Sequence, residues 1–80
     1  MKNLNIKSLF NFNKKIILIT GSSGQIGSSI VKLFLSLGSK VYGFDKIKNK
    51  IKHDDYEFIK ANIRNKSEVR RKISRIVKKN

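Results

Sequence analysis

An α/β fold built on a parallel sheet is what this sequence predicts, on three observations. A short apolar run, Ile16-Ile17-Leu18-Ile19, ends in a glycine-rich turn, Thr20-Gly21-Ser22-Ser23-Gly24-Gln25-Ile26-Gly27. That turn opens a segment whose apolar residues return every three or four positions. Strand and helix signals then alternate along the chain, which favours parallel strands joined by right-handed crossovers. The expected sheet has three parallel strands in the order 3-2-1, flanked by helices and ending before a fourth strand.

Residues 1–13 lack clear periodicity and are rich in Asn, so they read as a leader whose Leu9, Phe10 and Phe12 pack beneath the first strand. The folded unit is expected over residues 14–80. Lys15 to Thr20 is short, rich in Ile and ended by Gly21, as a buried strand should be. From Gln25 to Leu37, the residues Ile26, Ile30, Leu33, Phe34 and Leu37 are expected to line the inward face of a helix. Gly38 is its natural C-terminal stop. Lys40 to Phe44 forms the second strand, with Asp45 at its carboxyl end, and residues 46–55 are a charged loop in place of a crossover helix. Tyr56 to Ile63 is the third strand, with Phe58 as its core residue. Asn65 followed by Glu68 resembles a capping box. Beyond it, Val69, Ile73, Ile76 and Val77 form the apolar stripe of a second helix, while Arg70, Arg71, Lys72, Arg75, Lys78 and Lys79 turn outward.

Composition narrows the function. Eighty residues allow one small domain with a thin core. There is no cysteine, which excludes disulfides and thiolate metal sites and suits a reducing, cytoplasmic setting. The single histidine, His53, has no second His near it in sequence, so no metal site is expected. Neither a signal peptide nor a membrane span is expected from the interrupted apolar residues of the first ten positions. The net charge of +14 would suit a nucleic-acid partner. The basic residues are scattered without interleaved aromatics, however, and Lys, Ile and Asn recur throughout, as an A/T-rich coding sequence would produce; nucleic acid is the disfavoured partner.

The glycine turn carries the chemistry. Glycines spaced G-x-x-G-x-x-G at a strand-to-helix junction allow a tight turn, close approach of backbone to a pyrophosphate, and close packing of the helix on the strand. The N–H groups and dipole at the helix start favour an anion. Asp45 stands 18 residues past Gly27, close to the spacing of about 20 expected of an acid that accepts from an adenosine ribose. A carboxylate there repels a 2′-phosphate and favours NAD, while the neighbouring Lys46 leaves NADP open. A mononucleotide P-loop does not fit, because Gly27-Ser28-Ser29 stands where G-K-[ST] is needed.

The stretches I-I-L-I-T-G-S-S-G-Q-I-G, V-Y-G-F-D and F-I-K-A-N-I resemble the amino-terminal half of the short-chain dehydrogenase/reductase superfamily, over about residues 12–79. The resemblance implies a partial Rossmann-type three-layer fold. It implies that Gly21, Ser22, Ser23, Gly24, Gln25, Ile26 and Gly27 bind the pyrophosphate, that Asp45 with Lys46 meets the adenosine ribose, and that Asn62 and Ile63 flank the adenine. The family usually has Asp at the Asn62 position. Its catalytic Ser or Thr and its Tyr-x-x-x-Lys helix would lie beyond Asn80, so no catalytic residue is assigned here. A separately encoded remainder of the fold could supply them and would also cover the open edge of the first strand. The glycine spacing is that of the sugar-nucleotide epimerase and dehydratase branch, whereas the leader S-L-F-N-F-N-K-K-I resembles the typical dehydrogenases. The readings are thus an NAD(P)-binding portion of an oxidoreductase, a portion of an epimerase or dehydratase, or a small basic nucleic-acid binder using Arg70, Arg71 and Arg75. Tyr56-Glu57-Phe58-Ile59-Lys60 is literally Y-x-x-x-K, but in a strand its ends stand about 13 Å apart; Tyr56 and Lys60 are expected on a solvent-facing edge.

Overall fold

The computed structural model describes residues 13–80, so the expected leader lies outside the described residues except for Asn13. Strand β1 (Ile16–Thr20) leads into helix α1 (Gln25–Ser36), followed by β2 (Lys40–Asp45), β3 (Tyr56–Lys60) and helix α2 (Lys66–Lys79). The three strands are parallel in the order β1-β2-β3, with Ile17 opposite Val41 and Val41 opposite Tyr56. β2 is therefore central. Its Val41, Tyr42, Gly43 and Phe44 are all buried, because a helix covers each face of the sheet.

Alternation sorts the core into two clusters. On one face, Ile19 and Val41 pack with Val31 and Leu35 of α1, joined by Tyr56. On the other, Tyr42, Phe44 and Ala61 pack with Ile76 of α2, joined by Ile59 and Ile73. The result is the expected three-layer α/β/α arrangement, and the connection over residues 46–55 contains no helix.

Several expected faces differ. Ile26, Ile30 and Leu33 of α1 are exposed, whereas Val31 and Leu35 are buried. The rotation of α1 is set by Gly27, where a Cβ would collide with the Gly21 carbonyl and come within 3.2 Å of Ser22 Cα. Val31 and Leu35 follow one and two turns later on that same side. Phe58 is only half-buried and joins neither cluster, because its partner across the strand pair is Gly43, which offers no side chain to pack against. β3 ends at Lys60 rather than Ile63, since Asn62 begins a turn in which its backbone carbonyl accepts from Asn65 N–H at 2.9 Å. On α2, Val77 is exposed and Lys72 turns inward, donating to the Lys60 carbonyl at 2.6 Å.

The cap of α2 is half of the expected box. Asn65 Oδ1 accepts from the Glu68 N–H at 3.1 Å, while the Glu68 carboxylate pairs with Lys72 at 3.7 Å instead of returning to the Asn65 N–H. Asn65→Ala should cost about 1 kcal/mol and lower the Tm by about 5 °C, measured by circular dichroism; an unchanged melting curve would show that the cap contributes nothing.

Candidate functional site

The carboxyl edge of the sheet brings the glycine turn and Asp45 together. Gly21, at φ +69°, turns the chain out of β1, and its N–H donates to the Phe44 carbonyl of β2 at 2.8 Å. The Ser22 N–H reaches the same carbonyl at 3.4 Å. The Ser23 N–H then donates to Asp45 Oδ2 at 3.0 Å, and the Lys46 N–H to Asp45 Oδ1 at 2.7 Å. The Ser23 hydroxyl donates to the Ile47 carbonyl. The turn is thus tied to the end of β2 by the acid that the sequence singled out.

The Ser23 N–H, then those of Lys46 and Ile47 and the Lys46 charge, hold the Asp45 carboxyl below its ordinary range, with partial burial opposing them. The group is ionised at neutral pH, and the carboxylate retains acceptor capacity beyond its backbone bonds. An acceptor of hydroxyl donors is what remains.

The start of α1 is left open to an anion. Gly24 is its N-cap, in extended geometry and without a side-chain cap, and no acidic residue stands in the first turn. The N–H groups of Gln25, Ile26 and Gly27 therefore have no acceptor within the helix and project the positive end of its dipole. A Cβ at Gly24 would meet only the Gly21 carbonyl, at 3.5 Å, so the fold itself does not demand a glycine there. The open donors and the space above Gly24 fit a pyrophosphate.

Further along the edge, Lys46, Ala61, Asn62 and Lys72 line a concavity of about 550 Å³. Asn62 Oδ1 already accepts from the Arg64 N–H at 3.1 Å, which leaves its Nδ2 as donor. Ile63 is exposed beside this concavity rather than lining it, and Ile26 points into solvent from α1. A larger hollow of about 790 Å³ lies on the flank of α1, between Lys32, Ser36 and loop residues Asn49 to His53. It meets the turn only at Ser23, and its size does not make it the site; a doubly wound sheet presents its ligand crevice at the strand ends.

Two features escaped the sequence. Gly43 looks like an ordinary weak strand residue, yet a Cβ there would run into the Tyr56 hydroxyl and lie 2.6 Å from Ser22 Oγ. Tyr56 is not on a solvent-facing edge: its ring packs against the α1-side cluster and its hydroxyl accepts from Asn49 Nδ2 at 2.9 Å. Lys60 is exposed, so the pair does not form a catalytic Tyr-Lys couple. The signal that could have been read is Gly43 itself, since a glycine inside a strand marks close approach of another group.

Residues 17–78 match the model of the NAD dependent epimerase/dehydratase family. The chain belongs to that family. The match covers most of the sequence and corresponds to the amino-terminal NAD-binding region of the short-chain dehydrogenase/reductase superfamily. The chain is 39% identical over 74 residues to the 3-oxoacyl-[acyl-carrier-protein] reductase FabG of Rickettsia typhi, covering 85% of this chain and 31% of that protein. A short chain dehydrogenase from Leptospira borgpetersenii, solved with bound NAD+, superposes with a TM-score of 0.84 at 32% identity, over 100% of this chain and 32% of that one. The Bordetella bronchiseptica enzyme WbmH, solved in complex with NAD+, gives a TM-score of 0.68 at 33% identity, over 78% of this chain and 22% of that one. The chain therefore spans about a third or less of the length of these relatives. The family is NAD-dependent, and both structural relatives carry NAD+ at their sites. No helix among the described residues is long and apolar enough to cross a membrane.

Proposed function

We propose that this chain binds NAD and forms the dinucleotide-binding portion of a short-chain dehydrogenase/reductase-like oxidoreductase. The observation that carries the reading is the juxtaposition of an uncapped helix start behind the glycine turn with an ionised Asp45 bonded to that turn. Gly21 to Gly27 receive the pyrophosphate, Asp45 accepts from the ribose hydroxyls with Lys46 beside it, and Asn62 Nδ2 donates toward the adenine, with Ile63 at its rim. NAD is preferred to NADP because the carboxylate would face a 2′-phosphate. When bound, the nicotinamide supplies hydride chemistry; the described residues bind and orient. A reducing, cytoplasmic setting accords with the absence of cysteine.

A second reading, an epimerase or dehydratase portion, is favoured by the spacing of Gly21, Gly24 and Gly27 and by the matching family model. Both readings use the same NAD site. The remainder of the fold, in the same chain or a separate one, would cover the outer side of β1, whose Ile16 and Leu18 are exposed. Nucleic-acid binding finds no support in the comparisons, and α2, with exposed Arg70, Arg71 and Arg75, carries no aromatic residue on which a base could stack.

Titration with NADH, followed by nicotinamide fluorescence, tests the proposal. Wild type should bind, and Gly24→Val should weaken binding about tenfold to a hundredfold, as expected when branched methyls overlap the ligand. Its Tm should fall by only a few degrees, because the Gly24 backbone is extended at φ −72° and ψ 167°, which valine adopts readily. A valine variant that bound NADH as wild type does would remove the pyrophosphate from this turn.

A further inference from the structure

The peptide unit joining Ser22 to Ser23 is held at both ends. Its N–H donates to Asp45 Oδ2 at 3.0 Å, and its carbonyl accepts from Asn49 Nδ2 at 3.0 Å. In a trans peptide these two groups point in opposite directions, so the two bonds together fix the plane of the unit at the middle of the glycine turn. A rotation of that plane would break both.

Asn49 is itself aimed by a second acceptor. The same Nδ2 donates to the Tyr56 hydroxyl at 2.9 Å, and that hydroxyl lies 3.5 Å from Ser22 Oγ, at the outer limit of a hydrogen bond. Ser22 is fully buried, the Tyr56 ring is lodged against the core on the α1 side, and Gly43 leaves the room in which the two hydroxyls meet. Asn49 Oδ1, in contrast, is buried without a protein partner. An amide half-satisfied in this way is poor filling for stability alone. Its value lies in what the other half holds.

We propose that Asn49 and Tyr56 are positioning residues for dinucleotide binding: Tyr56 orients the Asn49 amide, and Asn49 fixes the Ser22–Ser23 peptide so that the turn is shaped for a pyrophosphate before the ligand arrives. This inference rests on the proposed dinucleotide site. The loop over residues 46–55, which replaces a crossover helix, acquires a purpose as the element that delivers the clamp from below the turn.

The test compares two ligands on the full chain by NMR titration: ADP, which carries the pyrophosphate, and adenosine, which does not. Tyr56→Phe keeps the ring and removes only the hydroxyl; Asn49→Ala removes the clamp from an irregular loop. Each should weaken ADP binding about tenfold, the scale of one well-made hydrogen bond, while adenosine affinity stays within about twofold. The double variant should lose no more than Asn49→Ala alone, because the tyrosine acts through the amide. Equal losses of ADP and adenosine affinity would show a merely structural role and overturn the proposal, as would unchanged ADP affinity in both single variants. Failure of the wild-type chain to bind either ligand would instead sink the dinucleotide reading, and this inference with it, before any variant is made.

Discussion

Gly27→Ala should both destabilise the amino-terminal crossover and sharply weaken NADH binding. The added methyl would be driven into the Gly21 carbonyl oxygen, and would lie 2.7 Å from Gly21 C and 3.2 Å from Ser22 Cα. All three are backbone atoms of the turn, so no side chain can swing aside. Relief requires α1 to move off β1, which withdraws Val31 and Leu35 from Ile19 and Val41. A cost of about 3 kcal/mol is expected for forced overpacking, a large share of what so small a domain commands. At about 5 °C per kcal/mol the Tm should fall by about 15 °C. Calorimetry and NADH titration would read the two effects together. A variant that melts within a degree or two of wild type would mean that α1 does not sit against the turn as described. The contrast with Gly24→Val is informative, since one glycine is required by the fold and the other by the ligand.

Asp45→Ala should produce the second large effect. It removes the acceptor of the Ser23 and Lys46 N–H groups, and with it the proposed partner of the ribose hydroxyls. A lost charge-assisted acceptor at a half-exposed position should weaken NADH binding about tenfold. The pH dependence has a definite sign. The folded-state pKa of Asp45 is depressed, chiefly by the Ser23 N–H, whereas the unfolded chain titrates near the ordinary value of about 3.9. The stabilisation is therefore present above that value and is lost as pH falls through the lower folded-state pKa. The chain carries only five acidic residues, so one of them makes up a sizeable part of the acid limb. Tm measured from pH 7 down to pH 3 should drop less steeply for Asp45→Asn than for wild type. Superimposable curves would mean that the Asp45 carboxylate does not stabilise the turn.

The parts of the site that were legible beforehand are those that depend on local sequence. Gly21, Gly24, Gly27 and Asp45 could be found because a turn, an uncapped helix start and an acid at a strand end each require a residue type at a set spacing. Asn65 could be found as a cap for the same reason. The inward face of α1 could be found only in part, since Phe34 packs against the core as expected. Ile26, Ile30 and Leu33 make as good a helical stripe as Val31 and Leu35, and the choice between them was made by Gly27, a residue that contributes nothing to apolar periodicity. Asn62 could be placed near the site, but not the local turn in which its side-chain carbonyl accepts from the Arg64 N–H and so sets the orientation of its amide.

The parallel sense follows from the alternation of elements, and β2 is buried on both faces because the crossover helix α1 covers one and α2, which follows β3, covers the other. The sequence by itself thus determined the layers and the glycine turn between β1 and α1, which rest on backbone geometry and short-range spacing. Tertiary structure alone decided how α1 is rotated, where Phe58 lies, and that Asn49, Tyr56 and Ser22 meet beneath the turn. Those residues are 7 to 34 positions apart, and their meeting depends on the missing side chain of Gly43. A glycine inside a strand marks that some group approaches closely; only the folded chain shows that here the groups are the Tyr56 and Ser22 hydroxyls.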